Sequence, residues 1–143
     1  MAEQRFASRT TVAASTTRDQ IVEMMKRAGA DAFMFGEEAT RATIGFRLKG
    51  RYLRFTVPVP QRARRNFDNA QLMRTRWRAL WLVVKAKLEA VAIGLVTIEE
   101  AFLSETMLPD RQSVAEVMLP QIESAYRDGK MPPLLPYYGE NGR

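Results

Sequence analysis

The sequence predicts an α+β fold: an N-terminal helix, a three-stranded antiparallel sheet, then a long helix and two or three shorter helices. Three observations predict it. Residues 41–59 alternate apolar and polar side chains around Lys49-Gly50, the period of a half-buried hairpin. Residues 70–93 repeat apolar side chains at helical spacing over many turns. Capping boxes, the signature of a helix start, recur at Thr17 with Gln20, Thr97 with Glu100, and Ser113 with Glu116.

The first capping box predicts a helix over about residues 18–28. Ile21, Met24, Met25 and Ala28 follow its apolar spacing, and Gly29 stands where the chain must turn left-handed to leave it. Ala32 to Phe35 reads as a first strand, turned by Gly36-Glu37-Glu38. In the hairpin a two-residue turn places Phe46 opposite Leu53 and Ile44 opposite Phe55 on one apolar face. The same register places Arg47 opposite Tyr52, Gly45 opposite Arg54 and Thr43 opposite Thr56 on the other. A one-residue slip destroys both sets, so the register is strongly specified. Pro58 and Pro60 end the strand.

After a basic connector over 61–71, a long helix runs from Ala70 to Ile93 and stops at Gly94. Met73, Trp77, Leu80, Trp81, Val84, Leu88 and Val91 form its core stripe. Leu82 and Val83 lie off that stripe, so the helix is covered on two sides or lends one to a partner or a second copy. A short helix is expected over 98–107. Another starts at Ser113, kinked or restarted by Pro120 and closed by Gly129. Residues 17–130 then make one domain, flanked by a flexible arm (1–16) and a Pro-rich tail (131–143) that is free or docked through Leu134 and Leu135.

Composition removes much chemistry. With no histidine and no cysteine, Ser-His-Asp hydrolysis, His-Glu-x-x-His metalloprotease chemistry and zinc-deaminase chemistry are excluded. No metal or cofactor is expected, and nothing points to an oxidising compartment; the expectation is a cytoplasmic, non-enzymatic protein. The longest apolar run, Ala79 to Val84, is far short of the roughly 20 residues that cross a bilayer. Glu99, Glu100, Glu105 and Asp110 cluster in sequence, but Glu99 and Glu100 point to different sides of a helix.

Charge is polarised. Residues 1–87 hold 18 Lys and Arg against 7 Asp and Glu, and residues 88–143 hold 4 against 9. Such a chain presents a basic partner-facing side, or its halves neutralise each other across the fold. The densest basic segment is RARRNFDNAQLMRTRWR (62–78), with Arg62, Arg64, Arg65, Arg74 and Arg78 as candidate phosphate ligands and Lys85 in the same helical sector. Arg47, Tyr52 and Arg54 on the outer sheet face, with Lys49 and Arg51 at the turn, complete a candidate surface for single-stranded nucleic acid. The rival expectation is a protein-interaction module, supported by Leu82, Val83, the acidic C-terminal half and the tail.

The segments GADAFMFG (29–36), IGFRLKGRYLRFTVPVP (44–60), RWRALWLVVKAKLEAVAIGLVTIEEAFL (76–103) and MPPLLP (131–136) together resemble a group of short phage and prophage proteins. The resemblance implies a mobile-element setting, where small basic proteins handle DNA or bind host proteins. It implies no catalytic residues.

Overall fold

The computed structural model describes residues 2–61 and 69–133. Helix α1 (Ala2–Arg27) leads into strands β1 (Ala32–Glu37), β2 (Arg41–Leu48) and β3 (Arg51–Pro58); α2 (Asn69–Ala92), α3 (Ile98–Ala101) and α4 (Val114–Asp128) follow. This is the α+β architecture expected from the pattern.

The sheet runs β1-β2-β3, antiparallel throughout. The hairpin keeps the expected register: Phe46 faces Leu53, Ile44 faces Phe55, and Arg47 faces Tyr52. Lys49 and Gly50 both take positive φ, 50° and 73°, the mirror-image turn whose twist matches its strands. Ala42, Ile44, Phe46, Leu48, Leu53, Phe55 and Val57 form the buried face. Ile21 and Met25 of α1 and Trp77 and Val84 of α2 cover it, so the core lies between the sheet and two helices. Edge-to-face ring contacts run Phe33–Phe46–Phe55–Phe102, linking β1 to the end of α3.

Several expectations are corrected. Strand β1 continues through Gly36 and Glu37, which pair with Thr43 and Ala42 instead of forming the expected turn, so the chain reverses at 38–40. Helix α1 begins at Ala2, upstream of the capping box that was to start it, and Thr17 lies buried inside it. Residues 2–16 contain four alanines and neither Gly nor Pro, so nothing stops the helix extending back through them. Its far end is as expected: Gly29 has φ of 107°, and the N–H groups of Gly29 and Ala30 donate to the carbonyls of Lys26 and Met25, closing the last turn.

Helix α3 has its full capping box at Thr97 but ends at Ala101 instead of continuing to 107. Residues 105–107 instead line the outer edge of β3. Arg54 N–H donates to the Glu105 carbonyl, Met107 N–H donates to the Tyr52 carbonyl, and Thr106 bridges Leu53. The sheet edge offers backbone partners that a further helical turn would forfeit. Helix α4 runs through Pro120 without restarting, between the Ser113 cap and a left-handed Gly129. The proline leaves the Glu116 carbonyl without its helical donor, but both residues are exposed and water can serve it. Leu134 and Leu135 lie outside the described residues.

Candidate nucleic-acid interface

Hairpin alternation sends Arg47, Tyr52 and Arg54 to the sheet face opposite the core, with Lys49 and Arg51 at the turn. Each of the three arginines is met there by a carboxylate of the same chain. The Arg47 fork donates from Nε to Asp31 Oδ1 at 2.8 Å and from Nη2 to Asp31 Oδ2 at 3.2 Å. That bidentate contact holds the Asp31 carboxyl below the usual carboxylate range and raises the Arg47 guanidinium. Arg51 Nη1 lies 3.2 Å from Glu99 Oε1. The Glu99 carboxyl is also lowered, first by its own backbone N–H and then by the charges of Lys49 and Arg51. Arg54 pairs with Glu116 at the start of α4.

The sheet face is therefore neutralised from within. Tyr52 is exposed and lies opposite Arg47 in the hairpin. As a surface for a single strand, the sheet offers fewer free cations than its sequence promises.

Helix α2 differs. Arg74, Arg78 and Lys85 fall within a narrow sector at helical spacing and span about 17 Å along the axis. Arg78 Cζ lies 4.1 Å and Lys85 Nζ 5.1 Å from the centre of the Trp81 ring. Trp81 is itself half-buried against the core, so it is a fixed post that orients two cations rather than a free stacking platform. Lys85 reaches Glu89 only at 3.9 Å. Among the described residues, neither Arg74 nor Arg78 forms an ion pair. Their neighbours are committed inward: Arg76 donates to the Pro58 carbonyl, and Lys87 to the Ala101 carbonyl at 2.6 Å and to Glu105 at 3.2 Å. Arg62, Arg64 and Arg65 lie outside the described residues.

The remaining carboxylates of the candidate acidic cluster have structural partners. Glu100 closes the Thr97 cap, Glu105 meets Lys87, and Asp110 accepts from the Gln112 N–H. No described helix is long and apolar enough to cross a membrane.

The sequence reading missed the carboxylates that answer the arginines. Asp31 had a signal: continuing the β1–β2 register sets Ala32 opposite Arg47, which brings Asp31 alongside. Glu116, 62 residues from Arg54, had none. No protein family, curated protein or solved structure matches the chain.

Proposed function

We propose that this chain is a non-enzymatic nucleic-acid-binding protein that grips the phosphate backbone, with little sequence specificity, along α2. One observation carries the reading: among the described residues Arg74 and Arg78 form no ion pair, while the sheet arginines are each paired internally. Cations held in a row on a rigid helix neutralise successive phosphates and release their counterions, so affinity falls as salt rises. Arg62, Arg64 and Arg65 precede the same helix in sequence and would lengthen the row. A grip on phosphates rather than on bases does not distinguish strand number, so duplex and single strands are expected to be bound alike.

The test is fluorescence anisotropy with labelled single-stranded and duplex DNA across a salt series. Phosphate contacts by Arg74, Arg78 and Lys85 alone give roughly a 40-fold loss of affinity between 50 and 200 mM salt, and the connector arginines steepen it. Replacing those three by Ala is expected to flatten the slope by about 2.7 in log–log units. Arg51→Ala, which removes an internally paired cation, is expected to leave the slope unchanged. A triple variant with wild-type affinity and slope would overturn the proposal.

A second reading is favoured by Leu82 and Val83, which stand exposed on α2 beside its core stripe. They suit a protein-interaction module, an adaptor or inhibitor acting on another protein. Capture of a stoichiometric protein partner, without retention on a DNA column, is its expected signature. Either reading suits the mobile-element setting that the segment resemblance implies.

A further inference from the structure

The two edges of the sheet are treated differently. Residues 105–107 occupy the outer edge of β3, whereas the outer edge of β1 has no partner among the described residues. The direction of its backbone groups follows from the ladder. Glu38 N–H donates to the Arg41 carbonyl at 2.8 Å, so along β1 every second residue (Gly36, Met34, Ala32) bonds to β2. The bonds of Tyr52 and Arg54 to the 105–107 segment require the same phase from the opposite side. The N–H and C=O groups of Phe33, Phe35 and Glu37 therefore point outward along an open edge.

Their side chains lie on the helix-covered face, yet Phe33 and Phe35 remain 38% and 44% exposed, while their neighbours Phe46 and Ile44 on β2 are 2% and 1% exposed. Met34, on the other face, is 71% exposed. Native edge strands are usually blunted by lysine, proline, a bulge or a covering segment. The run Ala-Phe-Met-Phe-Gly-Glu has no lysine or proline, and no described residue covers its edge. It reads as a strand awaiting a neighbour.

We propose that the neighbour is β1 of a second copy, added antiparallel so that one sheet runs continuously through both molecules. This proposal is independent of the nucleic-acid reading. Charge picks the occupant and the register. Lys26 Nζ, reaching down from α1, sits 5.4 Å from the centre of the Phe33 ring and 3.6 Å from Glu23, an exposed contact one turn away that leaves the ammonium able to take a second carboxylate. With Phe35 on the twofold axis facing its own copy, Phe33 faces Glu37 of the second copy, and all three outward residues exchange both backbone bonds. Glu37 shares the helix-covered face, so its carboxylate arrives beside Lys26, and symmetry repeats the pair. Met34 then faces Gly36 of the second copy, which leaves room for its side chain. The arrangement brings the two Arg18 groups toward each other, each stacked 4.0 Å over its own Phe35 ring.

The test uses the full chain in sedimentation equilibrium over a concentration series, with circular dichroism to confirm folding. The wild type is expected to dimerise. Glu37→Lys sets lysine against lysine twice and is expected to weaken dimerisation about tenfold or more. Adding Lys26→Glu to that variant is expected to restore it, because the charges are then exchanged. All the altered side chains are exposed, so the fold is retained. In the wild-type dimer, amide hydrogen exchange at Phe33, Phe35 and Glu37 is expected to slow with rising protein concentration. A wild type that stays monomeric at high micromolar concentration would overturn the proposal, even if β1 captured a strand of some other protein. So would a dimer indifferent to Glu37→Lys, which would point to another surface. DNA affinity is read separately and can stand or fall without affecting this result.

Discussion

Phe46 touches an aromatic ring on either side, Phe33 at 5.7 Å and Phe55 at 6.2 Å, from a position 2% exposed. Its place follows from period-two alternation alone, and its contribution from how little room its neighbours have to collapse. Phe46→Ala is expected to destabilise the fold by about 3–5 kcal/mol, removing the buried ring and leaving a cavity between β1 and β3. Urea unfolding checks this; a loss below about 1 kcal/mol would mean that the core relaxes around the gap. Arg47 and Arg78 show the opposite lesson. Both are arginines beside an aromatic residue, but the Arg47 fork is fixed by a carboxylate, whereas Arg78 rests on an indole and meets no carboxylate among the described residues. The availability of a surface cation is decided by its neighbours and cannot be read from its own identity.

At the scale of elements, what the sequence reveals depends on the range of the forces involved. The hairpin, the long helix and the caps at Thr97, Ser113 and Gly129 were all legible, because each is decided by residues within a few positions of one another. The start of α1 and the length of α3 were not. The Thr17 box is a real local motif overridden by upstream residues that also favour helix, and residues 105–107 leave the helical path for a sheet edge some fifty residues earlier in the chain. The candidate site divides in the same way: the α2 row is local and was foreseen, while the partners of the sheet arginines are long-range. Lys87 holds this second half of the molecule in place, bonding the end of α3 and the half-buried Glu105 together. Lys87→Ala is expected to cost roughly 1–3 kcal/mol, because it leaves the Ala101 carbonyl and a partly buried carboxylate short of a donor. A thermal midpoint unchanged from wild type would show that water replaces the ammonium without loss.

Across the whole molecule, the basic half and the acidic half meet. Asp31 closes on Arg47 within the N-terminal half, while Glu99 and Glu116 reach back from the C-terminal half to Arg51 and Arg54. Asp31 and Glu99 both ionise more readily in the folded chain than in the unfolded one. Their contribution is therefore fully present above the unfolded carboxylate values, about pH 4, and is lost as pH falls through the lower folded values. Unfolding midpoints are expected to hold steady through neutral pH and drop below about pH 4. Asp31→Asn with Glu99→Gln should remove part of that drop, and an identical acid profile in the double variant would contradict the assignment.

The segment that closes the edge of β3 also has a consequence for synthesis. A ribosome adding about 5–20 residues per second finishes Arg54 some 3 to 10 s before it finishes Met107. Through that interval the newborn hairpin has its β3 rim uncovered, and any extended chain nearby competes for the place reserved for a stretch not yet translated. Slowing translation between those two points should therefore raise the yield of aggregated product without changing a single contact of the finished protein.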